Sequence, residues 1–294
     1  MKSYMYFLLI ILTTALMGSS FAIGKIGLQY SSPLLLAGLR FLLAGVIMAI
    51  LVKITNQPHP ASKEQWSKVL IIGSLQTATV MGCIFISLRT ITASESSILT
   101  FMNPLLVIIF GTVFMQIRYK WYQWSGVLLG FIGVATTLGG IKDMKIGILF
   151  GALSSVFWAI STLLVNKWGS NFNTWVLSAY QMLFGGLILI ILSLLIEKPF
   201  FDLNMKSVSL LLWLSIMSSI VQFALWYFLL QKGEPGKTSS YLFLAPFFGV
   251  LTGSVLLNET ISLEFLGGGL LIIIGIFLVN SKFNKKEELS TRHM

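Results

Sequence analysis

One cysteine, two histidines and ten acidic residues are all that 294 residues offer to thiol, imidazole or carboxylate chemistry. The lone Cys83 excludes a disulfide framework and a thiolate metal cluster. His59 and His293 fall in polar connecting or terminal stretches, and the acids are scattered through loops and tails. Neither an acidic metal cluster nor a nucleophile–base pair has the spacing such chemistry needs. No phosphate-binding glycine loop is present, which argues against ATP-driven work by this chain alone. Charge of either sign is scarce, at 10% of residues, where a soluble domain carries roughly 25%. The sequence therefore argues against an enzyme, and no catalytic residue, metal or cofactor is expected.

What fills the chain instead is apolar: 56% of residues are hydrophobic and the mean hydropathy is +0.87. Ten runs approach the ~20 apolar residues that a helical span requires. They cover 4–24, 33–52, 66–88, 94–115, 121–139, 146–165, 174–196, 208–230, 238–257 and 263–280. The runs are continuous, not alternating, which excludes a membrane barrel. The connections are short, and none could fold as a separate soluble domain. The expected fold class is an all-α integral membrane protein, because lipid leaves an open backbone unsatisfied. The first run passes into Lys25 with no small-residue cleavage site, so it reads as a retained helix and not as a signal peptide.

A net charge of +10 could suggest nucleic acid, but the basic residues lie between spans and do not form a patch. They read as orientation signals. Thirteen Lys and Arg fall on the side of the chain termini, against six on the other (Lys25, Arg89, Lys142, Lys145, Lys198 and Lys206). That bias places both termini in the cytoplasm of a multi-pass plasma-membrane protein.

The chain repeats itself. The stretch from Ser94 to Pro104 returns 142 residues later as Gly236 to Pro246, each prolonged by an apolar run. Without a gap, Ser97 meets Ser239, Gly111 meets Gly253, Gly126 meets Gly268 and Gly133 meets Gly275. A one-residue shift in the second helices sets Arg40 against Gln181 and Gly45 against Gly186. Five spans per repeat force the second copy into the membrane upside down, giving two inverted five-helix repeats over 1–140 and 141–281, with a polar cytoplasmic tail over 282–294. Pro104 and Pro246 remove a backbone donor inside an apolar run and should bend their helices. Interruptions at matching places in two halves point to a transporter's binding site.

With these features the chain resembles the EamA-type exporters of the drug/metabolite transporter superfamily. The resemblance rests on Gly18-Ser19-Ser20-Phe21 with Lys25, on Pro33 with Leu39-Arg40-Phe41, on the small-residue entries to Pro104 and Pro246, and on Asn258-Glu259 followed by Gly268 and Gly275. The first half departs from it, with Gln116-Ile117 where the second has Asn258-Glu259. The resemblance implies alternating access through a central cavity lined by helices one to four and six to nine, the fifth and tenth being peripheral. It implies small-molecule cargo without naming it.

Several residues could carry transport. Arg40 lies about seven residues into its span, roughly 10 Å along a helix. A charge there faces protein or water and reads as functional, or else pairs with Glu95 to hold helices together. Lys25, Arg89 and Glu95 lie near the outer face and could form a gate of ion pairs. Ser96, Thr100 and Asn103 are spaced to share one helical face. Trp158, Ser161 and Thr162, then Gln222 and Trp226, and finally Tyr241, complete a set suited to an aromatic pocket with a few polar groups. The same hydroxyls could equally satisfy backbone carbonyls or bond between helices. The spans contain no Asp or Glu in mid-membrane. The reading is a secondary transporter that exports small organic metabolites, such as amino acids or related compounds. Uptake by the same fold, or a non-transporting scaffold, is the alternative. The partners are a small solute and the bilayer, and a monomer could suffice.

Overall fold

The structure, a computed structural model, describes residues 3–137, 145–232, 241–260 and 263–280. The expected polar tail at 282–294 lies outside them. Thirteen α-helices are described: α1 Ser3–Gly27, α2 Pro33–Ile54, α3 Lys63–Ile72, α4 Val80–Ser87, α5 Ala93–Thr100, α6 Asn103–Met115, α7 Trp121–Thr137, α8 Ile146–Trp168, α9 Thr174–Ile196, α10 Met205–Ser215, α11 Gln222–Lys232, α12 Leu244–Leu257 and α13 Leu263–Asn280. Apart from a one-residue bridge between Ser31 and Phe201, no strand occurs among the described residues. Seven helical stretches are long and apolar enough to cross a membrane, three of them composite: Lys63–Ser87, Ala93–Met115 and Met205–Trp226. The apolar helices Leu244–Leu257 and Leu266–Val279 are shorter.

Of the interruptions in these three stretches the sequence pointed only to the one near Pro104; the two π-helical ones were not expected. α3 and α4 are joined by a π-helical segment, Gly73–Thr79, and α10 and α11 by another, Ile216–Val221. The two sit at almost the same place in the two halves of the sequence. Between α5 and α6 the helix breaks at Phe101 and Met102. Pro104 follows this break. It stands in the first turn of α6, where its missing N–H costs nothing. Pro246 likewise stands in the first turn of α12, after the 3-10 turn Tyr241–Phe243.

The connectors gather at two ends. At one, the far end, Ser32 N donates to Phe200 O (3.1 Å), Asp202 N to Tyr30 O (2.7 Å) and Gly147 N to Thr90 Oγ1 (2.9 Å). At the near end, where α1 begins, Asn173 Nδ2 donates to Gln57 Oε1 (2.9 Å) and Tyr180 OH bonds His59 Nδ1 (3.2 Å).

Packing follows the sequence repeat. α2 lies on α9 and α7 on α13, while α1 on α12 corresponds to α8 on α5 and α6. Glycines set these contacts. A Cβ on Gly45 would fall within 3.0 Å of Leu183 backbone, and one on Gly186 within 3.0 Å of Leu42 backbone. At the second seam Gly126 faces Gly275 and Gly133 faces Gly268 with the same closeness. Such small residues let helices approach in lipid, where no hydrophobic effect drives them together. α6 and α12 end alike: Gln116 (φ 55°) and Asn258 (φ 52°) adopt the left-handed conformation, 142 residues apart. Ile117 N and Glu259 N then reach back to the Gly111 and Gly253 carbonyls, at 3.0 and 3.3 Å. This closes the last turn in the manner of a Schellman motif. Large apolar side chains such as Val113, Phe114, Leu128, Leu194 and Leu195 are exposed, a surface suited to lipid and not to water.

Candidate functional site

A cavity of ≈ 490 Å³ lies between the halves. Its walls come from both: Phe101, Asn103, Pro104 and Val107 from one, Trp158, Thr162, Gln222 and Trp226 from the other. Towards the near end it is bounded by Tyr119, Leu177 and Val279, which adjoin the connectors there. Its lining includes no described residue of the far-end connectors. Gln123 of α7 and Ile276 and Val279 of α13 line it too, so the fifth and tenth helices are not purely peripheral as expected. Tyr119 shares this mouth, and burial raises its phenol above the usual value. Among the described residues the lining holds aromatic faces and uncharged amides (Gln76, Asn103, Gln123, Gln181, Gln222) and no acid.

The helix break explains which residues face the cavity. Ser96 and Thr100 were expected to share a face with Asn103. They are fully buried instead, Ser96 Oγ bonded to Ser87 Oγ (2.5 Å) and Thr100 Oγ1 to Ser154 Oγ (2.9 Å). Beyond Phe101 the chain restarts as α6, and Asn103 turns to the cavity. Trp158 and Thr162 line it, Trp158 packing on Phe101 with ring centroids 5.6 Å apart. Ser161 does not; its buried hydroxyl has no partner among the described residues. Tyr241 also stands apart, its ring edge-on to Phe7.

Arg40 is 5% exposed and does not pair with Glu95. Its Nε donates to Ser219 Oγ (3.0 Å) and its Nη2 to Ser218 O (3.0 Å) and Ser218 Oγ (3.2 Å). Both serines belong to the second π-helical segment. Such widenings of a helix are common at functional sites. The guanidinium also lies 4.7 Å from the Phe41 ring centroid. It borders a smaller cavity of ≈ 60 Å³ that shares Met17, Gln76, Phe101, Trp158, Gln222 and Phe223 with the large one.

The far end is bridged, but not by the ion pairs the sequence suggested. Glu95 forms a capping box with Thr92, and exposed Arg89 makes no ion pair with a described residue. The acid that matters is Glu259. Its carboxylate accepts from Ala93 N (2.6 Å), Ser94 N (3.0 Å) and Ser94 Oγ (2.6 Å). With Thr92 serving Glu95 N, the first three N–H groups of α5 are all satisfied. The negative charge also sits at the positive end of the helix dipole. Lys25 Nζ is 4.0 Å from the same carboxylate and donates to Ile91 O (2.5 Å). Glu197 plays a comparable part on α2, accepting from Leu35 N at 3.1 Å and Leu34 N at 3.4 Å. Glu259 stood out in the sequence through the Asn258-Glu259 pair of the resemblance but not as a cap for α5, and its partners lie more than 160 residues away.

Comparison with known proteins fits this arrangement. A transporter YvbV of Bacillus subtilis, named as uncharacterized, is 30% identical over 280 residues, covering 94% of this chain and 91% of its own. The inner membrane transporter YedA of Escherichia coli, also named as uncharacterized, is 24% identical, covering 90% and 88%. A solved crystal structure matches the fold with a TM-score of 0.67 at 18% identity, over 92% of this chain and 96% of that one. The model of the EamA-like transporter family matches twice, at residues 4–139 and 145–281. With its two halves each carrying that repeat, the chain belongs to the EamA-like transporter family.

Proposed function

We propose that the chain is a secondary transporter that exports small organic metabolites from the cytoplasm across the plasma membrane by alternating access. The observation that carries this reading is the ≈ 490 Å³ cavity between the halves, bounded by near-end residues while the far end is latched by Glu259 and Lys25. This is the form of a transporter open to one side. With the termini in the cytoplasm, as the basic residues favour, the open side is the cytoplasmic one.

The halves would be inverted copies with ten spans. The matching αL caps, the matching π-helical segments and the reciprocal glycine seams support an axis in the membrane plane. The seventeen-residue α7 and the shorter α12 and α13 would be the remaining spans. Transport would run down a gradient or use groups near the ends, since the described residues of the cavity lining include no acid to relay protons.

The test compares solutes inside and outside cells that overproduce the protein with those of cells that lack it. Export predicts a solute depleted inside and enriched outside. The reverse distribution means uptake, and no difference across a broad metabolite profile removes the transport reading. For the solute so found, Asn103→Ala should lower transport about tenfold, the cost of about 1.4 kcal/mol in lost hydrogen bonding. Unchanged kinetics at equal expression would take Asn103 out of the site.

A further inference from the structure

Arg40 is more than nine-tenths buried, yet among the described residues it has no acidic partner. Its Nε and Nη2 are bonded to serines, and Nη1 donates to no described acceptor. Desolvating a cation without a counter-ion is unfavourable, and three neutral acceptors offset it only in part. The guanidinium borders the small cavity that adjoins the transport cavity. We infer that Arg40 is an anion subsite, and that the transported solute is an organic anion with one carboxylate and an uncharged, largely apolar body. This rests on the transporter reading given above.

The chemistry follows from the two linings. A carboxylate entering the small cavity meets a planar fork of donors and accepts from it in a charge-assisted, bidentate geometry. The apolar body then lies along Phe101, Trp158, Phe223 and Trp226. The amides of Gln76, Gln181 and Gln222 can bond a hydroxyl or carbonyl on that body. Among the described residues neither lining offers a carboxylate to an ammonium group, and Arg40 itself disfavours organic cations. Ser218 and Ser219 hold the guanidinium in place between transport events. Ser218 Oγ itself donates to Leu16 O of α1 (3.1 Å), so the subsite ties three helices together.

The test uses purified protein and matched probes: phenylacetate, 3-phenylpropanoate and 4-phenylbutyrate, each with its primary amide and its amine analogue. Thermal stabilisation is measured for wild type, Arg40→Gln and Arg40→Lys. At least one acid should bind about tenfold tighter than its amide, the worth of one charge-assisted hydrogen bond, and the amines should not bind. Arg40→Gln should abolish the preference for acid over amide. Should that variant not fold, Arg40→Lys, which keeps a point charge without the fork, should reduce the preference. A merely structural arginine would lower stability and leave the selectivity unchanged. Amides or amines binding as well as acids, or no acid binding at millimolar concentration, would overturn the assignment. An acid preference without transport in liposomes would instead sink the transporter reading and leave the subsite standing.

Discussion

Gly186→Leu should leave no folded protein. The α2 and α9 backbones are in near contact there: a Cβ on Gly186 would fall within 3.0 Å of Leu42 N, Leu42 Cα and Phe41 C. Gly45 is crowded in return by Leu183 N and Leu183 Cα. The obstacle is backbone on both sides, so no rotamer change relieves it, and the helices must separate. Overpacking a core ordinarily costs 1–3 kcal/mol. With two helices forced apart, the loss should reach at least about 3 kcal/mol, a large share of a marginal stability. The protein should elute as aggregate in size-exclusion chromatography. Gly267→Leu is the control, because nothing lies within 4 Å of a Cβ there. It should elute as wild type and gain helix propensity, by up to about 1 kcal/mol. A monodisperse Gly186→Leu would mean that the seam between α2 and α9 is not the close contact described.

Glu259→Gln has the second largest effect, on the conformational equilibrium. The carboxylate takes three donors from the start of α5 and neighbours Lys25. A glutamine amide keeps one oxygen and turns an NH2 group towards an N–H, donor against donor. Hydrogen bonds to a charged group are worth about 1.5–3 kcal/mol each. Losing one or two should shift the far end from closed towards open by about a hundredfold. The measurement is labelling of Val107→Cys, a cavity residue, in a Cys83→Ala background, by an impermeant maleimide applied from the far side. The rate should rise in Glu259→Gln. An unchanged rate, with the protein folded, would mean that Glu259 caps a helix without latching a gate. The position 142 residues earlier is Ile117, which has no group to hold a helix start. That asymmetry fits a cavity with its mouth at the near end and a latch at the far one.

The helices were legible because length and apolar character suffice to identify them in lipid. The Gly and Pro pairs at one spacing disclosed the repeat. Which face each helix turns inward was not legible. Ser96, Thr100 and Asn103 obey helical spacing, but the break at Phe101 rotates Asn103 away from the other two. Helical spacing alone does not register a break; Pro104, two residues beyond Met102, was its one sequence signal. Arg40 was weighed against Glu95 because both lie near one interface. Its partners are Ser218 and Ser219, brought within reach by a π-helical segment without a sequence signature. Gln76 was passed over although it is the sole charged or carboxamide side chain in the apolar stretch from Val69 to Leu88, a signal that could have found it.

The account as a whole turns on a passage that opens to one end at a time. Its most direct test is counterflow in liposomes containing the purified protein, with the solute named by the metabolite comparison. Unlabelled solute inside should accelerate entry of labelled solute, and entry should saturate with concentration. Entry that rises linearly and ignores the solute inside would show a pore open to both ends at once, and would contradict the account.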